Sequence, residues 1–243
     1  MTTKACLIIG AGDDTGAAIA RAFAKEGYAV CVSRRPRHAD KLESLAQSIR
    51  DAGGTAYAYP CDARDEDAAT ALVSEIEEQV GPIDVAVFNI GANVRFSVTD
   101  TTARVFRKVW EMACFAGFLM GREVAKPMLE RGHGTILFTG ATASVRGSAG
   151  FSAFASAKHG LRALAQSMAR ELGPKNIHVA HVVIDGAIDS NFIRENFPDV
   201  DARREADALL NPNHIAANFV MLHNQPRTAW THELDLRPWG EPF

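Results

Sequence analysis

No apolar run in this 243-residue chain is long enough to cross a bilayer; the longest, around Ala180 and 182–184, are the length of a strand. Nor does charge of one sign predominate: 26 basic residues stand against 29 acidic ones, a formal net charge of −3. A nucleic acid or an anionic membrane needs a basic footprint that this balance does not supply, so neither is expected as a partner. Cysteine is scarce. Cys6, Cys31, Cys61 and Cys114 are widely spaced, with no CxxC pair and no metal-ligand rhythm. No metal site is expected, and the thiols read as reduced, in a cytoplasmic protein. The opening MTTKACLIIGAG lacks a signal-peptide cleavage pattern, and no low-complexity or repeated segment interrupts the chain.

What is present is an alternation. Short apolar runs at 5–10, 29–33, 56–59, 85–89, 135–139 and 178–184 read as strands, with 229–236 as a final edge strand. Helical patterns lie between them at 16–26, 66–80, 102–131, 153–172 and 212–223, and Leu42, Leu45 and Ile49 recur at helical spacing. Strands alternating with long helices need right-handed crossovers. They imply an α/β fold, a doubly wound parallel sheet of about seven strands in a three-layer α/β/α domain spanning 1–243. Ligands in such sheets bind outside the carboxyl ends of the strands, where the strand order reverses.

The first such end carries Gly10-Ala11-Gly12-Asp13-Asp14-Thr15-Gly16. Gly10 suits a tight turn, Gly12 lets backbone approach a ligand, and Gly16 allows close helix–strand packing, the pattern of a Rossmann pyrophosphate site. Asp13 and Asp14 run against it: they bring two carboxylates to where a dinucleotide brings its own negative charge, and an aspartate there can cap the amides a phosphate would take. At the end of the second strand stand Arg34 and Arg35, not an acid. Arginine grips a phosphate in forked hydrogen bonds, which favours NADP(H) and leaves NAD(H) open.

Further landmarks follow in order: Asp62, then Phe88-Asn89-Ile90-Gly91, then Phe154-Ala155-Ser156-Ala157-Lys158, then 184–190, Ile-Asp-Gly-Ala-Ile-Asp-Ser. With the glycine turn, they make the chain resemble the short-chain dehydrogenase/reductase family over nearly its whole length. The resemblance implies that Asp62 binds adenine and that Asn89 steadies the central strand beside the cofactor. It implies that Lys158 holds the nicotinamide ribose and the backbone of Ile188 meets the carboxamide. It also implies a small-molecule substrate and a homo-dimer or homo-tetramer.

The departures bear on chemistry. Family members pass a proton through a tyrosine, bind the substrate oxygen with a serine and hold a relay water with an asparagine. Those positions fall here on Phe154, Ala141 and Cys114, so the resemblance is to a divergent subgroup that keeps the lysine and carries phenylalanine for tyrosine. Phenylalanine has no ionisable proton. Losing a positioned acid–base group costs about 10²–10⁴ in rate, and losing an oxyanion donor about 10²–10³. Thr142 is the best substitute donor, with Lys158 the other catalytic candidate; Ser144 lies nearby, and His159 points off the Phe151–Phe154–Lys158 face. The charged segment 189–212, with Phe192 and Phe197, suits a substrate lid, and Trp239 and Phe243 suit docking on a neighbouring subunit.

An NADP(H)-dependent oxidoreductase with an atypical site leads. A nucleotide-binding sensor or scaffold that has lost chemistry, and a lyase or isomerase reusing the cleft, stay open. Restoring the missing pair tests the loss. Phe154→Tyr alone leaves Ala141 without an oxyanion donor and is expected to gain little. Ala141→Ser with Phe154→Tyr should give measurable reduction of activated dicarbonyls or quinones, followed as steady-state NADPH oxidation.

Overall fold

A strand covered by helices on both faces has no solvent side to alternate towards. In the computed structural model, which describes residues 3–196 and 199–241, every residue of β1 (Ala5–Ile9), β4 (Ile83–Phe88) and β6 (Ile177–Ile184) is buried. With β2 (Ala29–Arg34), β3 (Thr55–Pro60), β5 (Gly134–Thr139) and β7 (Glu233–Leu236) they form one seven-stranded parallel sheet. Its order is β3-β2-β1-β4-β5-β6-β7, so the direction of winding reverses between β1 and β4. That is the switch point at which a ligand crevice opens.

Helices α1 (Thr15–Lys25), α2 (Ala39–Asp51) and α9 (Pro212–His223) cover one face, packing Ile19, Phe23, Leu42 and Phe219 on Val30, Val32 and Val87. Helices α3 (Glu66–Gln79), α5 (Ala116–Arg131) and α6 (Ser152–Leu172) cover the other, where Ile76, Met120 and Leu161 meet Leu7, Phe88 and Phe138. Side-chain caps start two of them. Asp65 accepts from the Ala68 amide at the head of α3, and Asn211 accepts from the Asn213 amide at α9.

Three stretches differ from the sequence pattern. The single helix expected over 102–131 is α4 (Ala103–Trp110), a π-helical turn at Glu111–Phe115, then α5. The final strand is shorter than 229–236, because Arg227–Ala229, led by Pro226, forms a 3₁₀ turn. Within 189–212 lie two short helices, α7 (Asn191–Asn196) and α8 (Val200–Glu205). Phe197 and Phe243 lie outside the described residues. Trp239 is 84% exposed, its indole donating to the carbonyl of Ala206.

Behind the sheet's last two strands, Arg162 of α6 grips Glu233 with two 2.6 Å hydrogen bonds, and Glu233 lies 3.1 Å from His181 Nδ1. His181 is fully buried, and burial pushes its pKa down to about 4 although Glu233 pulls it up. It folds as the neutral ring. The unfolded chain takes up this proton near pH 6.5, so the contribution is complete above that pH and is lost as pH falls from there towards 4. The loss should reach about 3 kcal/mol over that span. His178 and His223, also lowered by burial, act in the same direction. Urea midpoints measured from about pH 7.5 to about pH 4.5 should fall steadily, and His181→Gln should flatten much of that slope.

Candidate active site

The glycine turn after β1 is shaped by what it touches. Gly10 has φ of 89°, and a Cβ there would come within 2.6 Å of the Asn89 carbonyl oxygen; one on Gly16 would come within 2.6 Å of the Gly10 oxygen. Both positions therefore require glycine. A Cβ on Gly12 would meet nothing within 4 Å, which leaves its backbone open to the cleft. Asn89 clamps the turn to the end of β4: its amide donates to the Ile9 carbonyl at 2.8 Å and its Nδ2 to the Gly10 carbonyl at 3.1 Å.

The two aspartates behave differently from the capping role their sequence position suggests. Asp13 accepts from Arg34 at 2.9 Å and from Lys41 at 3.2 Å. Burial pushes its carboxyl up, but Lys41 and Arg34 together hold it below the ordinary range. Asp14 directly precedes α1 yet its side chain caps no amide of that helix; Oδ1 instead accepts from the backbone N–H of Asn191 at 3.2 Å. It links the glycine turn to the segment after β6.

From this turn runs a cleft of about 770 Å³ along the carboxyl ends of the strands. Gly10, Gly12, Gly16, Arg34, Asp62, Asn89, Thr142, Lys158 and Ile188, scattered over the sequence, all line it. At one end lie Arg34, Arg35, His38 and Arg64. Arg64 holds Asp62 through bonds of 2.9 and 2.5 Å, and this pairing keeps the Asp62 carboxyl low. Arg35 has no ion-pair partner among the described residues; burial and the neighbouring Arg37 and Arg64 charges lower its pKa.

At the other end is Lys158, 2% exposed on α6. Its Nζ donates to the Ile90 carbonyl at 3.0 Å and the Thr139 carbonyl at 2.8 Å, joining the ends of β4 and β5. An ammonium has three N–H bonds, so one remains for a further acceptor. Burial pushes its pKa down to about 8. The ring of Phe154, one turn earlier, has its centroid 5.9 Å from Nζ and offers neither donor nor acceptor.

The hydroxyls considered as substitutes separate cleanly. Ser144 is fully buried, its Oγ accepting from the Ala141 amide, and it does not reach the cleft. Thr142 does reach it, and donates to Asp185 Oδ1 at 2.5 Å. Cys114, on the π-helical turn, is buried, and burial pushes its thiol up. His159 is on the exposed side of α6 and bonds the Ala155 carbonyl. Asp185 is the residue that sequence reasoning passed over. It sits one position past β6, is 3% exposed, and is paired with Arg237 at 3.1 Å and Arg146 at 3.8 Å. The only signal for it was its place at a strand's carboxyl end.

A dinucleotide suits these groups: an open glycine backbone at the switch point, cations at one end, and a buried lysine at the other. The comparisons agree with that geometry. The short chain dehydrogenase family profile matches residues 4–201. The 7alpha-hydroxysteroid dehydrogenase of Escherichia coli K12 is 32% identical over 232 residues, covering 93% of this chain and 89% of its own. A crystal structure of a short-chain dehydrogenase from Rhodopseudomonas palustris is 49% identical, with a TM-score of 0.83 over 97% of this chain and 99% of that one. That of an actinorhodin polyketide ketoreductase with NADPH is 26% identical, with a TM-score of 0.87 over 98% of each chain. The chain belongs to the short-chain dehydrogenase family of NAD(P)-dependent oxidoreductases.

Proposed function

We propose that the protein is an NADP(H)-dependent oxidoreductase acting on a small alcohol or carbonyl compound, and that it handles the substrate proton without the tyrosine and serine of its family. The observation that carries this reading is Lys158: a buried ammonium at the cleft floor, fixed by two carbonyls, beside a phenylalanine that can exchange no proton. A lysine whose pKa is about 8 is poised for both charged and neutral forms near physiological pH. Lys158 would hold the ribose through its remaining N–H and is the first candidate for moving the proton; Thr142 is the second.

The remaining residues divide the cofactor among them. Arg35 and Arg34 would hold an adenosine phosphate, Asp62 the adenine, the Gly12 backbone the pyrophosphate and the Ile188 backbone the carboxamide, since all of them line the one cleft. When bound, the nicotinamide supplies or takes up hydride at the reacting carbon. Asp13 already neutralises part of Arg34, so Arg35 carries most of the preference for a phosphate. The segment after β6 is tied to the glycine turn through Asn191 and Asp14, and its Ser190 and Ile193 line the cleft, which suits a substrate lid. A second reading, a cofactor-binding sensor without turnover, is favoured by the methyl of Ala141 and the ring of Phe154, which together leave two family positions without a donor.

Titration of protein fluorescence with NADPH and NADH, joined to a screen for cofactor oxidation, separates these readings. Lys158→Ala should weaken NADPH binding about tenfold to a hundredfold, the worth of a charge-assisted hydrogen bond. Because the ammonium is the binding form, wild-type affinity should be full below about pH 8 and decline above it, and the variant should lack that decline. Equal binding by Lys158→Ala would remove the site assignment.

Cofactor choice gives a separate expectation. Arg35→Ala should lower NADPH affinity several-fold more than NADH affinity, and Arg34→Ala should do less, its charge being shared with Asp13. Equal wild-type affinities for the two cofactors, unchanged in both variants, would sink the preference.

A further inference from the structure

Thr142 directly follows Ala141 and lines the cleft, and the direction of its single hydrogen decides what it can recognise. A threonine hydroxyl has one donor and two acceptor lone pairs. Here the donor is committed: Oγ1 lies 2.5 Å from Asp185 Oδ1, the length of a charge-assisted O–H···O⁻ bond. Asp185 cannot be the donor in this pair while it is ionised, and it is held between Arg237 at 3.1 Å and Arg146 at 3.8 Å. With its hydrogen given to Asp185, the Thr142 hydroxyl has only lone pairs left to offer a ligand.

The consequence is a selection by oxygen type. A carbonyl oxygen can only accept, and facing an acceptor it gains nothing and loses water. A hydroxyl can donate, and finds in Thr142 an acceptor already oriented. We propose that Asp185 is a positioning residue that fixes Thr142 as an acceptor subsite, so that the site favours an alcohol over the corresponding carbonyl compound. This rests on the oxidoreductase reading for its place in a reaction, but the recognition itself needs no cofactor. Ser144, the other nearby hydroxyl, cannot replace Thr142, being enclosed and bonded to the Ala141 amide.

The test uses cofactor-free protein and matched probes: cyclohexanol with cyclohexanone, menthol with menthone, and indanol with indanone. Binding is measured by saturation-transfer NMR. In the wild type the alcohol of at least one pair should bind about fivefold more tightly than its ketone, the range of one hydrogen bond. Thr142→Ser should keep that ratio and Thr142→Val should erase it, with the melting temperature showing that both are folded. A low-field hydroxyl proton resonance, present in the wild type, should vanish in Thr142→Val and in Asp185→Asn. Ketones binding as well as alcohols, a ratio that survives Thr142→Val, or no binding by any pair would each overturn the proposal. A parallel NADPH titration keeps the two readings apart: discrimination without cofactor binding would fail the oxidoreductase reading alone, and cofactor binding without discrimination would fail the subsite alone.

Discussion

Two carbonyls converging on one buried ammonium organise the working end of this molecule. Ile90 follows β4, Thr139 ends β5, and Lys158 comes from α6; the amine bonds both and so sets how far apart the two strand ends stand. An unpaired buried charge would cost several kcal/mol, so these bonds are needed for the lysine to remain there at all. The polar ends of the crevice depend on that spacing. Phe154 packs above the amine, and the wall carrying Ala141 and Thr142 begins just beyond Thr139.

A similar clamp acts at the switch point. Asn89 ties β4 to the turn after β1, and the turn is drawn so tight that Gly10 and Gly16 admit no side chain. The cleft is thus bounded by two polar fasteners, each joining neighbouring strand ends across the sheet. Between them the backbone at Gly12 is left uncovered. Rigidity at both ends is what a site needs if it is to place a small substrate against a large cofactor.

Much of this was legible in the sequence, for identifiable reasons. Buried parallel strands read as continuous apolar runs, and their carboxyl ends can be located from the runs alone, which places Gly12, Asn89 and Thr142; Lys158, on α6, came from the motif that carries the resemblance, and all four line one cleft. Side-chain pairing was not legible. Nothing local shows that Asp13 is bonded to Arg34 and Lys41, that Asp14 reaches Asn191, or that Asp185 receives the hydroxyl of Thr142, since these bonds join residues far apart in the chain. The π-helical turn was hidden for another reason: its residues keep the apolar spacing of an ordinary helix, and hydrophobic pattern cannot detect one extra residue in a turn.

That extra residue has a consequence for how such chains can differ in length. A π-helical turn is an α-helix with one residue inserted and the register after it rotated by about a quarter turn. Here it faces Cys114 towards Gly160 on α6, where a Cβ would come within 2.9 Å of the sulfur. A relative lacking a residue at Glu111–Phe115 could run straight through as one helix, but only if everything on α4 turned with it. Insertions and deletions in this stretch are therefore not neutral adjustments of a surface helix. They act as a ratchet whose single step re-aims the wall of the cleft.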